Sequence, residues 1–223
     1  MPRDTLTQET IVRTAVQLLD EEGLEGLNMR SLGKRLHVAA TAVYWHVKNK
    51  DDLVLMVADH VWREIDLPPL DPDDWRGTAT AMADALYAML VRHPWLVQAI
   101  SSHFVYGTAK SRYDDHLLGV FEIAGFTAEE SDRAAGALVT FVLGNALGAS
   151  ATASLTRKVQ RAGGDSEDQF RAVLAKAAET AAVFPRLRAR LDTPAATEYA
   201  GAPEGTFASG LRALLDGLGP DTV

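Results

Sequence analysis

The chain has 223 residues, 47% of them hydrophobic and 23% charged, the proportions of a folded globular protein and far from disordered or collagen-like compositions. Cysteine is absent, which excludes disulfide stapling, thiolate metal sites and cysteine nucleophiles. The net charge of −8 argues against a uniformly basic surface, and the opening MPRDTLTQET, acidic and without an apolar run, is expected to be neither secretory signal nor anchor, so a cytoplasmic location is expected.

Only helical periodicity recurs. A first helix, capped by Thr5 or Thr7, carries the stripe Ile11, Ala15, Leu18 and Leu19 until Gly23 stops it. Asn28 caps a short second helix on which Met29, Leu32 and Leu36 share a face, and Ala39 to His46 forms a third. After the break Lys48-Asn49-Lys50, Asp51 is expected to cap a fourth helix lined by Leu53, Val57 and Val61. Pro68, Pro69 and Pro72 forbid a continuous helix and mark the clearest boundary. Beyond it, Trp75 to His93 holds a helical spacing that Pro94 ends, and Tyr113 to Ala124 holds another that Gly125 ends. Thr127 and Glu130 form a capping box before a stretch, Ala134 to Thr156, without a charged side chain. Gly163-Gly164 breaks the chain, Ser166 and Gln169 repeat the box ahead of Phe170, Val173 and Leu174, and a last helix uses Phe207, Leu211, Leu214 and Leu218 before Gly219-Pro220.

Charge is unevenly placed. Residues 1–50 hold seven Lys/Arg against six Asp/Glu, a net of +1, which leaves −9 for the rest. Within them, Asn28 to Lys50 has Arg30, Lys34, Arg35, Lys48 and Lys50 and no acid. Two short helices around a tight turn, resting on a first helix and carrying clustered basic residues, outline a helix-turn-helix reader of the major groove. Ala39, Ala40 and Ala42 let the second of the pair approach base edges closely, an alanine suits a thymine methyl, and Thr41 can hydrogen-bond a base or a phosphate.

The string Val43-Tyr44-Trp45-His46-Val47-Lys48-Asn49-Lys50 resembles the segment that ends the recognition helix of TetR-family repressors, and the pattern from Thr10 through Gly23, Leu27, Arg30, Leu32 and Leu36 extends the resemblance over about residues 7–66. Gly125-Phe126 followed by Phe141, Leu143 and Gly144 resembles the tetracycline-repressor core more loosely. The resemblance implies that Arg30 and Thr41 face base edges while Tyr44, His46, Lys48 and Lys50 hold the backbone, with Ala39, Ala40 and Trp45 in the same surface. His37 stands where the family usually has Gly in the turn, and histidine is among the residues that tolerate a positive φ.

The fold expected is all-α: an N-terminal three-helix helix-turn-helix domain, residues 1–50, joined by a fourth helix, 51–67, to a larger helical domain, 68–223, for dimerisation and effector binding. The function implied is that of a homodimeric transcriptional repressor on a palindromic double-stranded operator, released by a small and largely apolar effector. The effector contacts expected are Met82, Leu86, Met89, Phe104, Tyr106, Phe121 and Phe141, oriented by His103 and Asn145. Ala134 to Thr156 passes the length test for a membrane span, but its Thr, Asn, Ser and Gly residues favour a buried helix at a subunit interface. Gly136, Gly144 and Gly148 permit close approach there, and Leu211, Leu214, Leu215 and Leu218 complete a four-helix bundle with the symmetry mate. No membrane, metal or cofactor is expected. In an ungapped alignment Asp66 and Gly148 stand where tetracycline repressors place a metal-coordinating His and a Glu, which disfavours a magnesium–tetracycline ligand.

Two other readings remain open at this point, a helical enzyme and a protein-interaction module without a DNA role. Asp114-Asp115-His116 and His103 are the residues an enzyme would use, but neighbours on a helix point in different directions, and no phosphate loop, HExxH or GxSxG is present.

Overall fold

The computed structural model describes residues 6–162, 164–191 and 205–220, and every regular element among them is an α-helix. The first, α1 (Gln8–Gly26), starts at Thr7, whose Oγ1 accepts the Thr10 N–H at 3.1 Å. Its stripe Ile11, Ala15, Leu18 and Leu19 is fully buried. Gly23, at φ 69° and ψ −177°, kinks the helix where the stop is expected, and one further turn runs on to Gly26. A side chain at that φ costs about 1–2 kcal/mol, so glycine is required.

α2 (Met29–Arg35) is set by a reciprocal cap: Asn28 Oδ1 accepts the Ser31 N–H at 2.8 Å and Ser31 Oγ accepts the Asn28 N–H at 3.2 Å. The chain then turns into α3 (Ala40–Val43) with the Val38 N–H on Gly33 O at 2.9 Å. The two helices pass so closely that a Cβ on Gly33 would lie 3.0 Å from Val38 O. His37 takes φ 55°, the conformation expected of it.

α3 is shorter than the expected Ala39–His46. Ala39 has no side-chain oxygen to cap it, and at the other end the His46 and Val47 N–H groups both fall on Val43 O, at 2.9 and 3.1 Å, so residues 44–46 form a turn. α4 (Lys50–Trp62) is capped by Asn49, whose Oδ1 accepts the Asp52 N–H at 2.8 Å, and not by Asp51, which lies in the first turn where its charge complements the helix dipole.

Past the prolines, α5 (Trp75–Arg92) is capped by Asp74. Pro94, read from the sequence as a terminator, also opens α6 (Pro94–Ser102), because proline at the first helical position lacks only an N–H that has no intrahelical acceptor there. α7 (Thr108–Ile123) and α8 (Ala128–Ala162) follow, the latter behind the expected box, with the Thr127 N–H on Glu130 Oε2 at 2.6 Å and the Glu130 N–H on Thr127 Oγ1 at 3.3 Å. α9 (Gly164–Ala182), α10 (Pro185–Arg188) and α11 (Thr206–Asp216) complete the described helices. The side chains of Ser166, Gln169, Phe170, Val173 and Leu174 lie outside the described residues. α11 ends at Gly217, so Leu218 falls beyond it.

α8 is the axis of the larger part. Its stripe Ser131, Ala134, Leu138, Val142, Ala146 and Ser150 is buried as the helix packs on α5, α6 and α7. By length and composition it is the one described helix able to cross a membrane, but that stripe is closed by protein. α4 leads from the three-helix head into this body, packing on α1 at one side and α7 at the other.

Candidate nucleic-acid interface

The head is built so that its small core holds a polar and aromatic face outward. Val43 and Val47 are buried beneath Leu32 and Leu53, while the intervening turn turns its side chains to solvent. Arg30, Ala39, Thr41, Tyr44, Trp45, His46, Lys48 and Lys50 are all exposed and Ala40 is half-buried, so eight of the nine residues expected at DNA turn to solvent. Tyr44 is 53% and Trp45 89% exposed; they do not pack the small core.

Two basic side chains have work inside the head. Arg35 pairs with Glu21 and, at 3.0 Å, with Glu22, which withdraws it from the cationic cluster. The hydrogen bond from Arg35 holds the Glu21 carboxyl below the usual carboxylate range. Lys50 Nζ donates to Leu24 O at 2.8 Å and braces the corner after the α1 kink. Lys34, counted in the basic cluster from the sequence but not among the expected DNA contacts, is exposed on α2.

The nine residues expected around an effector differ in their surroundings. Met82, Leu86, Met89 and Phe121 are core, at most 1% exposed. Phe141 lies 5.6 Å from Phe207 on α11, ring centroid to centroid, and Asn145 Nδ2 donates to Phe141 O at 2.8 Å. Phe104 and Tyr106, at 87% and 62% exposed, correct the expectation that they face inward: the link between α6 and α7 is extended, so alternate side chains part, and Val105 takes the buried place between them. His103 packs against the head side instead, with Nε2 3.3 Å from Asp51 Oδ1. A groove of about 240 Å³ does open between α5 and α11, lined by Arg76, Thr80, Asp84, Ala208 and Arg212 among others, and none of the nine borders it.

Among the expected dimer residues, Leu211 and Leu215 are 2% and 3% exposed within their own protomer; four apart on α11, they form the stripe that packs on α8 and α5 and are not available to a mate. Leu214 and Leu218 are half-buried. Gly136 and Gly144 face open space, and Gly148 is half-buried. The outer stripe of α8 also carries Leu147 and Leu155, 58% and 40% exposed, which the sequence does not single out although Leu147, three beyond Gly144, and Leu155, seven beyond Gly148, share a face with the glycines.

Body and connector meet at a joint. α7 has no cap of its own, because Gly107 precedes it, and Asp59 of α4 supplies one: its Oδ1 accepts the Ala109 and Lys110 N–H groups at 2.8 and 3.0 Å. A Cβ on Gly107 would meet the Asp59 carboxyl at 2.2 Å, so the loop closes on that residue. The residues an enzyme would use are structural: His116 Nε2 donates to Pro68 O at 2.7 Å and Asp114 pairs with Lys110.

Residues 11–57 match the family described as bacterial regulatory proteins, tetR family, and residues 67–220 match the tetracyclin repressor-like C-terminal domain. The chain belongs to the TetR family. An HTH-type transcriptional regulator of Saccharopolyspora erythraea is 34% identical over 63% of this chain and 59% of its own length. The class A tetracycline repressor of Escherichia coli is 32% identical over 96% of this chain and 90% of its own. Among solved structures, the Streptomyces coelicolor TetR-family protein ActR, in complex with (S)-DNPA, is 27% identical with a TM-score of 0.69, covering 96% of this chain and 97% of that one. The all-helical fold, with a helix-turn-helix head and a larger helical body, is that of TetR-family regulators, and the protein is a DNA-binding transcriptional regulator, not an enzyme.

Proposed function

We propose that this TetR-family regulator is a cytoplasmic homodimeric repressor that grips a palindromic operator through Arg30, Ala39, Ala40, Thr41, Tyr44, Trp45, His46, Lys48 and Lys50. Residues 1–50 are the reading head, 51–67 the connector and 68–223 the body that dimerises and takes the effector. The carrying observation is the exposed face around α3, where a tryptophan 89% in solvent belongs to a stretch with the exposed cationic side chains Arg30, Lys34, Lys48 and Lys50, above a closed core. Leaving a large apolar side chain exposed forgoes about 1.5–3 kcal/mol of burial, a cost that a partner surface offsets. Arg30 and Thr41 read base edges, Ala39 and Ala40 lie close to them, and Tyr44, His46, Lys48 and the remaining donors of Lys50 hold phosphates.

The outer stripe of α8, from Gly136 to Leu155, meets its symmetry mate and sets the separation of two heads that must enter major grooves about 34–36 Å apart. A small effector in the body shifts α7, the Asp59 joint carries the shift to α4, and the separation changes. That the similar ActR forms a complex with (S)-DNPA supports the effector reading. A coupling of about 1–3 kcal/mol suffices for release by 5–150-fold.

Selecting bound duplexes from a random pool with the full-length protein tests this. A recovered palindrome with half-sites about one helical turn apart is expected; a pool that shows no enrichment at low salt overturns it.

A further inference from the structure

The side chain of His93, at the junction of α5 and α6, is 4% exposed and lies between two carboxylates from the segment that carries the head. Its Nδ1 is 2.7 Å from Asp20 Oδ1 on α1, and its Nε2 is 3.1 Å from Glu64 Oε1, just past the end of α4. Each carboxylate is anchored again. Trp95 Nε1 of α6 donates to the same Asp20 oxygen at 2.8 Å, Arg157 Nη1 of α8 donates to Asp20 O at 3.2 Å, and Arg92 pairs with the other Glu64 oxygen. One buried imidazole thus joins the helix on which the head is built, the far end of the connector, and the body.

An imidazole facing a carboxylate oxygen with each nitrogen satisfies both contacts only when both nitrogens carry protons, for a neutral ring would set a lone pair against one of them. The charged form is therefore the one the site is built for. Burial alone lowers the pKa of His93, but the hydrogen bond and charge of Asp20, followed by those of Glu64, more than offset this and hold it above the ordinary histidine value. The groups facing the ring are Asp20 from α1, Glu64 beyond α4, Arg92 on its own helix, Trp95 on α6, and Arg157 from α8 by way of the Asp20 main chain.

We propose that Asp20, His93 and Glu64 are positioning residues for operator binding: a carboxylate–imidazolium–carboxylate clasp that fixes the angle of the head on the body and so the separation of the two recognition faces in the dimer. It rests on the operator reading above for its consequence, but its geometry concerns the head and body alone. Two heads must fit two grooves at once, so a head held at one angle binds with less ordering cost than one that swings. Because folding raises the His93 pKa, the clasp is whole below the ordinary histidine range and is lost as pH rises through the raised value.

Two readouts on the full-length protein test this. The chain has no cysteine, so Gln17→Cys, exposed on α1, takes a single spin label per protomer, and the label-to-label distance in the dimer reports head separation without DNA. A distribution that is narrow at pH 6, broadens toward pH 9, and is broad throughout in His93→Gln is the expected result; one that is equally narrow at both pH values and in the variant overturns the clasp. In the second readout, affinity for the duplex recovered by selection is measured over the same range at fixed salt. The wild type is expected to weaken roughly tenfold more than His93→Gln as pH rises, with His93→Gln weak throughout and the wild-type excess shifted to lower pH in Glu64→Gln. His37 and His46 are present in every variant, so their part cancels in the difference. Variants that lose only resistance to urea, while the folded fraction keeps wild-type affinity and pH slope, overturn the proposal. If His93→Gln does not fold, the wild-type profile and Glu64→Gln decide alone. A pH-dependent distance without any duplex binding leaves the clasp standing and sinks the operator reading instead.

Discussion

Trp45 in the head is 89% exposed, whereas Trp62, Trp75 and Trp95, in the connector and body, are 2%, 8% and 0% exposed. The three buried rings are held by neighbours: Trp62 against Tyr113 at 5.0 Å, Trp75 against Phe121 and Phe126 at 5.8 and 5.3 Å, and Trp95 hydrogen-bonded to Asp20. Among the described residues no ring contact of this kind is seen for Trp45. The same residue type therefore does two jobs, and exposure tells them apart. In the body a tryptophan fills space between long helices; in the head it is surface kept ready for a partner.

Substitutions that swap the two roles break this comparison most visibly in the body. Trp95→Ala is expected to destabilise by about 3–5 kcal/mol, the cavity supplying most of the loss and the removal of one of the two donors to Asp20 Oδ1 the rest, as measured by urea unfolding. Trp45→Ala should leave the urea midpoint nearly unchanged, within about 0.5 kcal/mol. Next in size, Arg30→Ala is expected to cost about 1–3 kcal/mol of operator affinity and to relax preference at one position of each half-site, while thermal unfolding stays as in the wild type. His37→Gly should gain about 1 kcal/mol in stability, since histidine at φ 55° carries a strain that glycine lacks. Trp62→Phe is expected to cost about 1 kcal/mol as well. Among the described residues the buried Trp62 Nε1–H has no acceptor, so its removal sacrifices no hydrogen bond and only the cavity left by the smaller ring against Tyr113 counts; a urea-unfolding loss as large as that of Trp95→Ala contradicts this.

Head and body also differ in how far they can be read from sequence. The head is governed by neighbours: Asn28 with Ser31, Gly33 against Val38, His37 in its turn, and a run of exposed residues from Tyr44 to Lys50 that follows from the buried pair Val43 and Val47. Even there a local ambiguity defeats the reading, because Asn49 and Asp51 are both cap formers and only Asn49 has the extended backbone of a cap. In the body the deciding contacts are distant. Phe104 and Tyr106 look like core by composition, and only the extended backbone between α6 and α7 turns them outward. Leu211 and Leu215 belong to an apolar stripe that suits a dimer seam and their own protomer equally, and the packing of α11 on α8 and α5 decides. His93 and Asp20 stand 73 positions apart, a separation at which no periodicity or motif joins them.

The exposed tryptophan gives the most direct test of the central claim that the face around α3 meets duplex DNA. Acrylamide quenching of tryptophan fluorescence should reveal one accessible ring in the free protein, absent in Trp45→Phe, and that ring should become shielded when the selected operator duplex saturates the protein. If it remains as quenchable with saturating operator as without it, the face does not bind DNA and the account of the head is wrong.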